Sequence, residues 1–100
     1  MSKWVAVTEQ TTIRFAVRGP IARSDLPGLC ERVRDLIAAH GATRAVCDVG
    51  GLDPDAVAVD ALARLRLEAR QQGCALRLDG CSKDLSDLMA FLGLRGLLLR

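Results

Sequence analysis

The alternation of extended and helical segments is the feature that most constrains how this chain folds. "RAVCDVGG", which begins at Arg44, and "CALRLDG", which begins at Cys74, have the apolar character of buried strands. Each follows an amphipathic stretch long enough for a helix of several turns. A helix between two strands returns the chain to the starting end of the sheet, so such strands pair in parallel. We therefore expect an α/β fold.

The N-terminal part adds two further extended runs, at about 3 to 8 and 11 to 18, joined by the polar "TEQT". Ile13, Phe15 and Val17 alternate onto one face of the second run, as in a half-buried strand. "LRGLLLR" at the C-terminus supplies at most one short strand. The expected sheet is mixed and mostly parallel, with four to five strands, an N-terminal antiparallel hairpin and three main helices.

The first helix is predicted to begin near Ser24 or Asp25, whose side chain would accept hydrogen bonds from free backbone amides, and to end at Gly41. Pro27 is harmless in a first turn. A third helix should begin after the capping residue Ser82 and end at Gly93. The buried stripe of the first helix follows three- and four-residue steps: Leu26, Leu29, Cys30, Val33, Leu36 and Ile37.

Length and composition indicate one domain over residues 1–100. Half of the 100 residues are apolar and about a quarter are charged, as in an ordinary globular domain. "RAVCDVGG" has apolar residues on both sides of the pleat, which predicts an interior strand covered on two faces. The sequence shows no linker, internal repeat or low-complexity tract.

Charge and composition disfavour several classes of function. The net charge of +2 is interspersed along the chain, and only three aromatic residues are present, so a nucleic-acid surface is not expected. No apolar run is long enough for a membrane span or a secretory signal, which predicts a cytoplasmic protein without membrane insertion. Four cysteines without a CxxC pair, and one histidine, favour buried thiols over a metal, cofactor or redox site.

Three carboxylates, those of Asp48, Asp53 and Asp55, surround the turn before the second helix. Asp53 followed by Pro54 predicts a helix over 54–72, capped by Asp53, with Asp55 in its first turn and Gly73 after its end. Capping alone would account for two of the acids. The alternative is functional, because a helix N-terminus that follows a strand is where α/β sheets place ligand or partner contacts.

Over nearly its whole length the sequence resembles the STAS domains, the fold of bacterial anti-sigma factor antagonists and of the cytoplasmic tails of sulfate transporters. The resemblance lies in the element order, "VCDVGGL", "EARQQGCALRL" and "SKDLSDLMAFLGL". In antagonists the turn typically has the sequence Asp-Ser-Ser-Gly-Leu, which corresponds here to Asp55, Ala56, Val57, Ala58 and Val59. The acid matches and the serines do not.

In such antagonists a partner kinase phosphorylates the serine, which switches binding off. Ala56 has no hydroxyl, and no Ser, Thr or Tyr lies between residues 44 and 81. The resemblance therefore implies a docking surface without a phosphorylation switch.

A helical wheel of the second helix places Ala58, Leu62, Leu65 and Ala69 inward. Leu67 lies opposite them, where core packing does not explain it. An apolar residue with a polar rim fits a modest protein-binding patch, although single exposed leucines are common. We predict a partner-binding set comprising Asp53, Asp55, Ala56, Val57, Asp60, Ala63, Arg64, Leu67 and Arg70.

The main hypothesis is a non-catalytic regulatory module that binds a protein partner, such as an anti-sigma factor kinase in bacterial transcription or a transporter or complex subunit. The alternative is a ligand-sensing or transporter-associated STAS accessory subunit. An enzyme is not expected, because nucleophilic catalysis needs a base beside the nucleophile and His40 is the only histidine. Whether the chain forms a homodimer stays open.

Overall fold

The computed structural model describes residues 11–93, where strands and helices alternate. The strands are β1 (Thr12–Ala16), β2 (Arg44–Asp48) and β3 (Ala75–Asp79), and the helices are α1 (Leu26–His40), α2 (Ala56–Gln71) and α3 (Lys83–Phe91). This confirms the α/β class and the three main helices. The predicted first strand at 3–8, the hairpin it would form and the final strand lie outside the described residues.

The three described strands form a parallel sheet in the order β1-β2-β3. Central β2 pairs with both neighbours, so that Ala45 lies between Ile13 and Leu76. Each connection contains one helix, and a crossover helix is what allows consecutive strands to run in parallel. The parallel character expected from the sequence is therefore confirmed for these strands.

All three helices contribute to one core on a single face of the sheet. The sheet supplies Ile13, Ala45 and Cys47, and the helices supply side chains with little or no exposure: Val33 and Ile37 from α1, Leu62 and Leu65 from α2, and Leu85 and Met89 from α3. The predicted alternation in β1 is confirmed, since Ile13 and Val17 are buried and Phe15 packs against the core. The predicted inward stripe of α2 is confirmed as well.

β2 is the central strand and is buried on both faces, as expected, since Ala45, Val46 and Cys47 are all buried. Within residues 11–93, however, helices cover only the face of Ala45 and Cys47. Val46 points away from the helical layer and does not belong to the core cluster, although only 8% of its surface is exposed. Its neighbours on the paired strands are Arg14 and Arg77. Among residues 11–93, long side chains of the sheet rather than a second layer of helices surround it. No helix in this range has the length and apolar character needed to cross a bilayer.

The helix ends follow the sequence signals except at the starts of α1 and α2. Gly41, Gly73 and Gly93 all have positive φ at the ends of helices, and the Ser82 hydroxyl accepts a hydrogen bond from the Leu85 N–H at 3.1 Å. The first helix differs from the expectation. The Asp25 carboxylate accepts from the Ala22 N–H at 2.9 Å, which closes a 3₁₀ turn over Arg23–Asp25 before α1 and does not cap α1.

Candidate functional site

The turn before α2 places Asp55, and not Asp53, as the capping residue. Asp55 has an extended backbone, and its Oδ1 accepts a hydrogen bond from the Ala58 N–H at 2.8 Å. The Asp55 N–H donates to the Asp53 carbonyl at 3.0 Å, and a residue that precedes a proline, as Asp53 does, avoids the helical conformation. The expected start at Pro54 is thus wrong by two residues, and α2 begins at Ala56.

The other two carboxylates at this edge have different surroundings. Asp48 Oδ1 accepts from the Gly50 N–H at 2.9 Å, which shapes the turn directly after β2. The Gly19 N–H donates to the Gly51 carbonyl at 3.1 Å, so the segment that leaves β1 is joined to the same turn. Asp53 is exposed. Two of the three acids therefore organise backbone, and Asp53 is left facing solvent.

The outer face of α2 presents Leu67, whose side chain is 58% exposed. Arg64 and Arg70 are also exposed, while Asp60 and Ala63 are half-buried. Single exposed leucines are common on protein surfaces, and an apolar residue with a charged rim is also the composition of a small protein-binding patch. Leu67 is thus exposed among charged side chains on the outer face of α2, as the helical wheel predicted.

Asp60 lies between two arginines that hold it in a fixed position. Its carboxylate accepts from Arg64 Nε at 3.0 Å and from Arg23 Nη1 at 2.8 Å. The hydrogen bond from Arg64 is the largest of the effects that lower the pKa of Asp60, and the hydrogen bond from Arg23 adds to it. The carboxylate is therefore ionised at neutral pH, and the cluster exposes two guanidinium groups around one anion.

A second ion pair joins α1 to α2 beside Leu67. Arg34 Nη1 lies 3.2 Å from Glu68 Oε1, with both side chains partly exposed. Between the two helices lies an open groove of about 530 Å³ whose lining includes Pro27, Cys30 and Leu67. The exposed leucine is thus one wall of a concave surface, and α1 provides the other wall.

The structure brings only part of the predicted set together. Asp60, Ala63, Arg64 and Leu67 share the outer face of α2, Asp53 to Val57 lie in or next to the turn at its N-terminus, and Arg70 lies on the last turn. The sequence reasoning missed Arg23, Arg34 and the α1 wall of the groove. Periodicity within α2 cannot reveal them, because they lie more than 30 residues from their partners.

The cysteines are poor candidates for nucleophiles. Burial raises the pKa of the Cys30 thiol, and nearby Glu68 raises it further. Burial raises the pKa of Cys47 to about 12. A thiol is reactive as the thiolate, so these groups are neutral and unreactive at pH 7. Within residues 11–93 no cluster of three or more His, Cys, Asp or Glu side chains could hold a metal ion.

Comparisons with known proteins add evidence on the fold. No family model matches the chain, and no curated protein matches it. Among solved structures, it is similar to a sulfate transporter family protein from Wolinella succinogenes, with a TM-score of 0.62 and 18% sequence identity over 88% of this chain and 71% of that one. The described part of this protein therefore has a STAS-like α/β fold.

Proposed function

We propose that this protein is a non-catalytic, protein-binding accessory module that associates with a subunit of a transporter or of another complex. It docks through the turn at 53–57 and the outer face of α2. The observation that carries the proposal is the 58% exposure of Leu67 at the edge of a groove.

The charged residues around Leu67 suit a specific contact. The Arg23–Asp60–Arg64 cluster and the Arg34–Glu68 pair rim the apolar centre with hydrogen-bonded groups of both signs. Charged groups at the rim of an interface set orientation and partner choice, while the apolar centre contributes affinity. Because the ion pairs are already formed in the free protein, few side chains would have to become ordered on binding.

A transporter-associated partner is favoured by the similarity to a sulfate transporter family protein. The second candidate is an anti-sigma factor antagonist that binds its kinase without a phosphorylation switch. It is supported by Ala56, which is exposed at the first position of α2 and carries no acceptor hydroxyl. Both candidates use the same surface, and the identity of the partner distinguishes them.

The experiment is affinity capture from the native host's lysate with the wild type, Leu67→Asp and the matched control Leu92→Asp. Leu92 is also a half-exposed leucine, but it follows α3. Full burial of a leucine side chain contributes roughly 1.5–3 kcal/mol, so Leu67→Asp should weaken binding about tenfold or more. Circular dichroism checks that both variants are folded.

Retention of a transporter subunit by the wild type and Leu92→Asp, but not by Leu67→Asp, supports the proposal. Retention of an ATP-binding kinase in the same pattern, unreleased by ATP, supports the second candidate. Equal retention of the same proteins by all three variants contradicts both, because the outer face of α2 is then not the interface.

A further inference from the structure

The face of the sheet opposite the helices carries charges that are separated by sign along the strands. The register aligns three rows across this face: Thr12, Arg44 and Ala75, then Arg14, Val46 and Arg77, then Ala16, Asp48 and Asp79. Every one of these side chains except that of Val46 is exposed. The first two rows are cationic, and the third is anionic.

None of the three arginines on this face forms an ion pair with another residue in the part of the chain that the structure describes. An open depression of about 430 Å³ lies among them, over the largely buried Val46. Parallel sheets are usually covered on both faces. A partner whose charges are arranged in the opposite order would therefore bury the apolar centre and pair these charges.

A second copy of this chain has that arrangement, and we infer that the protein self-associates through this face of its sheet about a two-fold axis. A two-fold axis in the plane between the sheets, perpendicular to the strands, reverses the strand direction of one copy relative to the other. The second, cationic row of each copy can then face the third, anionic row of the other, in a self-complementary contact.

One register brings the second row of each copy over the third row of the other. When the axis passes between the second and third rows, Arg77 lies over Asp79 of the other copy, and Arg14 lies beside Asp48 of the other copy. Because of the two-fold symmetry, each of these charge pairs occurs twice in the dimer. Facing sheets lie about 10 Å apart, a separation that opposing Arg and Asp side chains can bridge. Asp48 accepts from Gly50 through Oδ1, and its Oδ2 makes no hydrogen bond within residues 11–93.

The dimer should be weak and sensitive to salt. Three strands about 4.8 Å apart and five residues long give a face of a few hundred Å², well below the roughly 800 Å² per partner of a standard stable interface. Exposed ion pairs are screened within about 10 Å at 0.1 M salt and within about 3 Å at 1 M. The contact is on the opposite side of the sheet from α2, so it neither requires nor competes with the proposed partner surface.

Charge reversal tests this register with the full chain. In Arg77→Asp, acidic side chains face each other across the axis, and in Asp79→Arg, basic ones do. An equimolar mixture restores both attractive pairs in a heterodimer, and so does the double variant R77D/D79R in a homodimer. Arg32→Asp is the matched control, since it makes the same charge change at an exposed position of α1, outside both proposed surfaces.

Sedimentation velocity from about 10 μM to about 1 mM in low salt, a range that detects a dissociation constant near 1 mM, measures the outcome. We expect the wild type and Arg32→Asp to associate, and each single reversal to lower the association constant at least tenfold. The mixture and the double variant should recover association, and 1 M salt should dissociate the dimer. A wild type that stays monomeric, or single reversals that the mixture does not rescue, overturns the inference. Capture experiments on α2 are unaffected by either result, so the two proposals fail independently.

Discussion

Asp55 Oδ1 accepts a hydrogen bond from the backbone N–H of Ala58 at 2.8 Å, and this contact marks the start of α2. The first amides of a helix have no partner within the helix, so a side chain that accepts from one of them stabilises the helix start. Asp53, two residues earlier, has the same carboxylate and is exposed like Asp55, but it precedes the capping position. Only the carboxylate of Asp55 therefore caps the helix.

Asp55→Ala should destabilise the protein by about 1 kcal/mol, since removal of an N-cap side chain typically costs 0.5–2 kcal/mol. Asp53→Ala should change the free energy of unfolding by no more than about 0.5 kcal/mol, as is usual for an exposed side chain. Urea denaturation of the wild type and both variants at neutral pH measures the difference. A larger loss for Asp53→Ala would show that the helix begins where the Asp-Pro signal alone predicts.

Gly80 follows β3 in a crowded left-handed conformation. Its φ is 75°, and a Cβ there would lie 3.2 Å from Asp48 Oδ1 and 3.4 Å from the Gly50 nitrogen. Gly73 has a similar φ of 71° but open space around the Cβ position. A side chain would introduce similar backbone strain at both glycines. Only at Gly80 would its Cβ also lie close to neighbouring atoms.

Gly73→Ala should therefore cost about 1 kcal/mol, the typical price of a left-handed non-glycine residue. Gly80→Ala should cost about 2–3 kcal/mol, because the turns after β2 and β3 must also move apart. Thermal and urea denaturation compare the two variants. If both variants lost the same free energy of unfolding, the turns after β2 and β3 could move apart without destabilising the protein.

The local features of this fold were predictable from the sequence, because they depend on neighbours along the chain. Apolar alternation in β1, the inward stripe of α2 and the Ser82 cap are all confirmed. The start of α2 was not predicted correctly, since Asp53 and Asp55 are both good capping residues. The choice between them depends on the turn that Asp53 and Asp55 form through their backbones.

The features that involve distant segments were not predictable in this way. The apolar residues of "RAVCDVGG" suggest burial on both faces, but the helices cover only the face of Ala45 and Cys47. Val46 reaches 8% exposure among the neighbouring strands without a helix over it in residues 11–93. Likewise, the wheel identified Leu67, but only the packing of α1 against α2 reveals that it borders a groove.

Cys47 lies in the centre of the sheet and is fully buried. Burial, the largest effect, and the nearby charge of Asp48 raise the pKa of its thiol from 9.0 to about 12. Between these two values the unfolded chain loses the thiol proton while the folded chain keeps it. The unfolded state then binds fewer protons, so the free energy of unfolding falls as pH rises. The contribution of this thiol is complete below pH 9 and is lost as the pH approaches about 12.

We therefore expect the wild type to lose stability between about pH 9 and pH 11 more steeply than Cys47→Ala, by up to about 1.4 kcal/mol per pH unit for one thiol. Urea denaturation at several pH values gives the slope of the free energy of unfolding against pH for each protein. Lysines and other groups that both proteins share contribute equally to the two slopes, so the difference between the slopes reports the Cys47 thiol. Cys81→Ala is the control, because Cys81 is only partly buried and its thiol pKa is also raised by burial; it should flatten the slope less. Identical slopes for the wild type and Cys47→Ala would show that water reaches the Cys47 thiol in the folded state, so that the centre of the sheet is not sealed.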